Sequence, residues 1–276
     1  MIAIVIPYYK LQFLDKLLLS LKKQTNQNFN IYIGNDNSPE NPLPVIEKYV
    51  NDLHITYKKF DNNIGGKSLT KQWERCLTLI KNEDWFMLPG DDDEFTPQVI
   101  EKFYENLNEV NQQNIGVVKY ATRLIDANGN YISEIYKHPK IEKSTEAFFR
   151  KINGLSRSSV CEYVFKTAQY EKYKFKNYLL AWGSDDMAVM QFSDFGNILC
   201  VNDALMMPRI SAINISGQKD INKYKKNFGK FVFHKDLVLY HSKHFKKQQN
   251  IKSFDIMVKN LLMGIKNFLV EKIIKN

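Results

Sequence analysis

Trp85-Phe86-Met87-Leu88-Pro89-Gly90-Asp91-Asp92-Asp93-Glu94 carries the reading of this chain. An apolar run stops, a Pro-Gly turn follows, and three aspartates then stand in a row. Short apolar runs of this kind are buried strands, and a Pro-Gly pair punctuates them. Adjacent carboxylates repel one another unless a cation neutralises them. Mg2+ and Mn2+ take oxygen ligands and keep positions open for phosphate oxygens. Two readings follow: a divalent metal holding a diphosphate at the end of a buried strand, or a solvated acidic turn.

The surroundings bear on that choice. Ile2–Ile6, Phe29–Ile33, His54–Lys58, Trp85–Leu88 and Ile115–Lys119 read as strands. Between them, Leu11 to Leu21, Leu43–Val50, Lys67–Ile80 and Thr96–Val110 read as helices, the last started by Thr96-Pro97. Alternating units of this kind predict a mostly parallel sheet covered by helices, with ligands outside the carboxyl ends of the strands. The loops 7–10, 34–41, 60–67 and 89–95 then share one rim, and the aspartates are on it. Further along, Ala127-Asn128-Gly129-Asn130 predicts a hairpin between Tyr120–Ile125 and Tyr131–Tyr136. Ser158–Lys166 and Asn197–Val201 read as strands, Ser184–Ser193 as a helix and 206–218 as a loop.

With 276 residues, 44% hydrophobic and 13% aromatic, the chain is long enough for one large α/β domain and too apolar for disorder. Cys76, Cys161 and Cys200 have no C-x-x-C spacing, which fits free thiols in a reducing compartment. The short run Met1–Pro7 lacks the features of a signal peptide, and no apolar stretch approaches a membrane span, so a cytoplasmic location is expected. Residues 219–276 hold 14 of the 39 Lys+Arg but only 4 of the 30 Asp+Glu. The basicity therefore belongs to a C-terminal segment and points to an anionic partner, a membrane surface before a nucleic acid. Within it Ile251–Ile274 reads as an amphipathic helix. Phe254, Val258, Leu261, Leu262, Ile265, Phe268, Leu269 and Ile273 form one face, and Lys252, Lys259 and Lys266 another. It either packs on its own domain or docks on a surface.

Familiar phosphate loops are excluded. Gly65-Gly66-Lys67-Ser68 lacks the first glycine of a P-loop, that position being Asp61, and no G-x-G-x-x-G follows the first strand. Asn35-Asp36-Asn37-Ser38 is either an Asx turn or an acidic strand end that reads a ribose or a base N–H. Trp182-Gly183-Ser184-Asp185-Asp186 either caps a helix or presents a general base at its start. His241 and His244 are a weak metal signal on a basic surface, and Arg209 could touch an anion.

In this order the pieces resemble the family 2 glycosyltransferases with the GT-A fold: Ile-Pro-Tyr-Tyr, Asn-Asp-Asn-Ser, Asn62-Asn63-Ile64-Gly65-Gly66, Gln72-Trp73, Leu-Pro-Gly-Asp-Asp-Asp and Trp-Gly-Ser-Asp-Asp. The resemblance is strongest over residues 1–120 and extends to about 218. It implies a GT-A-like catalytic domain over 1–218, a basic helical extension over 219–276, and inverting transfer of a sugar from a nucleotide-diphosphate donor, a UDP-sugar first, with Mn2+ or Mg2+. By the same resemblance Asp36 reads the base and Pro7 and Tyr9 lie against it. Asn63, Gly66, Lys67, Gln72, Asp91 and Arg209 complete the donor site, with loop 206–218 closing over it. Asp92 and Asp93 take the metal, although Gly90 at the usual first D-x-D aspartate leaves open which two of the three aspartates act. Asp186 is the base, with Asp185 in place of the family's usual glutamate. The implied acceptor is a glycan or a lipid-linked sugar at the inner face of a membrane. The rival readings are a scaffold protein of the same fold and a metal-dependent nucleotidyltransferase.

Overall fold

The computed structural model describes residues 1–211 and 223–274, with side chains to Glu271. Four parallel strands, β1 (Ile2–Tyr8), β2 (Phe29–Asn35), β3 (Ile55–Lys59) and β4 (Trp85–Met87), alternate with helices α1 (Leu14–Lys22), α2 (Leu43–Ile46) and α3 (Leu69–Leu77). Then come β5 (Glu94–Phe95), α4 (Val99–Gln112), β6 (Val117–Thr122), β7 (Ile141–Lys143), α5 (Ser144–Ile152), β8 (Tyr163–Lys166), α6 (Thr167–Tyr173), α7 (Ser184–Phe192) and β9 (Asn197–Met207). Two long helices, α8 (Lys223–Tyr240) and α9 (Lys247–Ile274), follow.

The sheet order is β3-β2-β1-β4-β8-β6-β9-β5, with β7 added beside β9. β8 runs antiparallel between β4 and β6, while β6 and β9 are parallel. This is the expected α/β, GT-A-like, mostly parallel sheet with C-terminal helices. Because β1 pairs with β2 on one side and β4 on the other, the strand order reverses at β1. The crevice outside that reversal is where open sheets bind ligands.

Alternation along β1 supplies two cores. Ile2, Ile4 and Ile6 pack with Leu14, Leu17, Leu18 and Phe103 on one face, while Ala3 and Val5 pack with Phe86, Phe165 and Phe192 on the other. Burying each large aliphatic or aromatic side chain contributes about 1.5–3 kcal/mol. On the second face α3 lies so close to β2 that a Cβ on Gly34 would stand 2.3 Å from Cys76 Sγ. Gly34 therefore sets the depth at which α3 sits.

Several boundaries differ from the sequence reading. The helix expected from Thr96 begins at Val99, with Gln98 as its N-cap. The expected hairpin is reduced to isolated bridges, Thr122 with Tyr136 and Ile125 with Tyr131. β9 runs on to Met207, so the first residues of the expected loop 206–218 belong to a strand; 212–218 fall outside the described residues. Helix α8 lies within the helical extension expected over 219–276 but was not delimited as a separate helix. It buries Phe233 and Leu237 against Phe148, Tyr178, Met187 and Met190, beside the start of α7.

Candidate active site

The aspartate turn is held by backbone donors. Asp91 Oδ2 accepts the N–H groups of Tyr9 and Lys10, both at 2.7 Å, which clips the loop after β1 to the loop after β4. Asp93 Oδ2 accepts the Gly90 N–H at 2.8 Å. A Cβ on Gly90 would lie 2.7 Å from Asp92 Oδ1, so the carboxylates fold closely over this glycine. Burial pushes the Asp91 carboxyl up to about 6 against the pull of those N–H groups, and the Asp92 charge adds to the rise. Burial and the Asp92 charge push Asp93 up to about 7.

Arg209 lies behind the turn at 2% exposure. Its Nε donates to the Asp92 carbonyl at 2.9 Å, one terminal nitrogen donates to the Asp126 carbonyl at 2.6 Å, and the other pairs with Glu94. The guanidinium also lies 4.4 Å from the Phe13 ring centre. These contacts tie Arg209 into the scaffold of the turn and give it a positioning role; 212–218 of the loop expected to close over a donor lie outside the described residues.

Asp36 is equally committed. Oδ1 accepts the Ile64 N–H and Oδ2 the Gly65 N–H, each at 2.8 Å, and Arg75 pairs with Oδ1. A carboxylate has about four acceptor positions, so one remains for a ligand. The Asx-type contact at this strand end belongs instead to Asn35, whose Oδ1 takes the Ser38 N–H at 2.8 Å. Arg75, on the last turn of α3, escaped sequence reasoning because a basic residue there is ordinary helix chemistry. It donates to Gln72 Oε1 at 2.9 Å and Asn62 Oδ1 at 2.8 Å, and stacks 4.1 Å over Phe60. Gln72 also ties α3 to β2 through the Gly34 carbonyl at 3.1 Å, and Asn63 Oδ1 accepts the Gly66 N–H at 3.0 Å. Gly66, Lys67 and Tyr9 are exposed on this rim, and Pro7 is the last but one residue of β1.

The second acidic group stands at the start of α7. Its N-cap is Gly183, at φ +91°, with no side-chain cap. A Cβ there would meet the Phe233 ring at 2.4 Å, so α8 and the left-handed turn both demand glycine. The Asp185 carboxylate meets the backbone N–H groups of this first turn. Asp186 points both oxygens at Lys151 Nζ, each 2.7 Å away. Burial lowers Lys151, but the charges of Asp186 and Asp185 outweigh it and leave the ammonium above its usual value. Burial pushes Asp185 up to about 6, Lys151 opposing and Asp186 adding. Lys226 and Lys230 of α8 lie 4.2 and 4.9 Å over the Trp182 ring beside this pair.

Buried Glu162 links the two acidic groups, pairing with Arg157 at 2.6 Å and Lys119 at 3.4 Å. Burial lowers Arg157, yet the charges of Glu162, Cys161 and Asp93 together raise it above its usual value. Glu162 also acts on Lys151.

A sequence profile, glycosyl transferase family 2, matches residues 3–195. The chain belongs to the family 2 glycosyltransferases. No curated protein matches it by sequence. Among solved structures it is similar to Staphylococcus aureus TarS 1–349 in complex with UDP-GlcNAc, at 16% identity and a TM-score of 0.69, over 96% of this chain and 72% of that one. Against TarS without that truncation the TM-score is 0.66 at 14% identity, over 94% of this chain and 43% of that one. The mannosyltransferase PcManGT from Pyrobaculum calidifontis, in complex with GDP-Man and Mn2+, gives 0.59 at 8% identity, over 96% of this chain and 75% of that one. At these identities the likeness establishes the GT-A-like fold.

In this family 2 chain the described residues include no group of three or more His, Cys, Asp or Glu side chains able to hold a metal alone. His241 and His244 stack on Phe195, with ring centres 5.0 and 4.0 Å away, and belong to packing.

Arg209→Met should lower unfolding free energy by about 3 kcal/mol, because Glu94 and two carbonyls lose their partner. Arg209→Lys should recover only part, since an ammonium cannot span three acceptors. Urea unfolding measures both; a loss within error of zero would remove the positioning role. His234, buried on α8 and held down to about 4 mainly by burial, adds a pH signature. A histidine pKa depressed in the fold contributes stability above its unfolded value near 6.5 that is lost as pH falls towards 4. The stability advantage of wild type over His234→Leu should therefore shrink by up to about 1.4 kcal/mol per pH unit across that window. A constant difference would contradict it.

Proposed function

We propose that this family 2 glycosyltransferase moves a sugar from a nucleotide-diphosphate donor, a UDP-sugar, to an acceptor hydroxyl with inversion, Asp186 being the general base. The observation that carries this reading is the presence of two separate acidic groups. A turn of hard oxygen donors stands at the strand reversal, and a separate carboxylate, Asp186, stands at the start of α7. Inverting displacement needs both: negative charge builds on the departing diphosphate, and the attacking hydroxyl loses its proton on the opposite side.

The residues fit a divalent ion. Asp92 and Asp93 offer carboxylate oxygen, and an added cation would favour the charged form of Asp93, which burial first and the Asp92 charge second disfavour. With few protein ligands, the remaining positions fall to phosphate oxygens and water, as Mg2+ and Mn2+ sites commonly arrange. Mn2+ or Mg2+ bound there supplies Lewis-acid stabilisation to the leaving group. Asp91 keeps the loop after β1 in place, and Asp36, steadied by Arg75, directs its remaining acceptor position to the nucleotide base against Pro7 and Tyr9. Asn63, Gly66, Lys67 and Gln72 shape the donor edge. Lys151 orients Asp186 and swings aside as the acceptor hydroxyl engages it; Asp185 shares the proton load. The UDP-GlcNAc and UDP in the TarS structures, and the GDP-Man and Mn2+ in PcManGT, support this assignment. A glycan or lipid-linked acceptor, met from the cytoplasmic side at a membrane surface, belongs to the same reading.

Asp186→Asn tests it. The amide still accepts a hydrogen bond from Lys151 but cannot take a proton at neutral pH. Transfer should fall at least roughly 100-fold while donor affinity stays as in wild type. Transfer that survives the substitution would dismiss Asp186 as the base, and a chain with no transfer before substitution would restore the scaffold reading.

A further inference from the structure

The long last helix is turned inside out relative to an ordinary amphipathic helix. The side of α9 that meets α8 carries Ser253, Asn260 and Gly264, all buried. A Cβ on Gly264 would stand 3.4 Å from Phe228, so small residues there let the two helices approach closely. The outward side carries the large apolar residues. Ile251 is 53% exposed, Phe254 50%, Leu262 62% and Leu269 54%, with Val258 and Ile265 between them. At 100° per residue these six fall within one stripe about 80° wide. Isolated exposed apolar residues are ordinary; a continuous stripe along a helix is not.

Beside the stripe runs a second line. Lys252, Lys259 and Lys266 recur every seven residues, two turns apart, along one flank, with Lys259 and Lys266 exposed. Asp255 on the same side offsets one of these charges. The helix has 28 residues and so extends about 42 Å, yet no described helix is long and apolar enough to cross a membrane.

We propose that α9 lies in the plane of an anionic membrane surface, its apolar stripe in the headgroup–acyl boundary and its lysine row against the lipid phosphates. Charge decides the occupant. An anionic bilayer satisfies the stripe and the lysines together. A second copy of the chain would cover the stripe but would bring the same excess of lysine, since its segment 219–276 has 14 basic residues against 4 acidic. The inference extends the membrane-side acceptor reading, but its test requires no sugar transfer.

The full chain is sedimented with vesicles of phosphatidylglycerol and phosphatidylcholine in equal parts, and with vesicles of phosphatidylcholine alone. Binding is expected to the anionic vesicles and to be weak on the neutral ones. Leu262→Asp with Leu269→Asp should weaken binding by more than roughly tenfold, since both side chains lose their apolar contact. Replacing Lys252, Lys259 and Lys266 by Gln should weaken it by roughly a hundredfold, at about fivefold per lysine. Both variants alter outward-facing side chains, so circular dichroism and urea unfolding should match wild type. Absence of binding to anionic vesicles, or binding that neither variant weakens, would overturn the proposal. So would self-association in the ultracentrifuge, abolished by Leu262→Asp, in a chain that ignores vesicles, because the second copy would then be the occupant.

Discussion

Four acidic residues, Asp91 to Glu94, follow the end of one short strand, and much of the surrounding structure answers to that charge. Asp91 spends its carboxylate on two backbone N–H groups of the neighbouring loop. Glu94 spends its own on Arg209. Asp93 takes a backbone N–H from Gly90, and its remaining tension shows in a carboxyl raised far above its ordinary range by burial and by Asp92. Asp91 and Glu94 are thus consumed in holding the turn. In the proposed reading a cation at Asp92 and Asp93 would relieve the charge that the turn concentrates.

Most of this organisation was legible in the residues. The alternation of apolar runs with helical stripes gives the parallel half of the sheet, and the strand-end rule then places 7–10, 34–41 and 89–95 together. The parts that were not legible share a physical cause: they depend on side chains meeting across long sequence separations. Lys151 and Arg75 sit in the last turns of α5 and α3, where a basic residue is what any helix prefers, so neither stands out. Arg209 was read as a donor contact in a closing loop, and nothing local reveals its burial beside Asp92 and Glu94. Helix α8 carries lysines all along its length and has no clear apolar period, yet it buries Phe233 and His234.

The consequence of α8 is that the C-terminal segment is not merely appended. Phe233 fills the space that a side chain at Gly183 would need, and so bears on the turn that presents Asp185 and Asp186. Lys226 and Lys230 add positive charge over Trp182 next to the same pair. The helix that supports the acidic pair on one side packs against α9 on the other. Events on the outer face of α9 are therefore one helix away from the proposed base.

The most direct test of the central claim, that the aspartate turn is a metal-dependent diphosphate site, is calorimetric titration of the chain with UDP, GDP and CMP, each with Mn2+ and again with EDTA. The account predicts binding of a nucleoside diphosphate, UDP first, that is present with Mn2+ and lost with EDTA. Equal binding in both conditions, or none with any nucleotide, would contradict it and leave Asp91 to Asp93 as an acidic turn that serves only the fold.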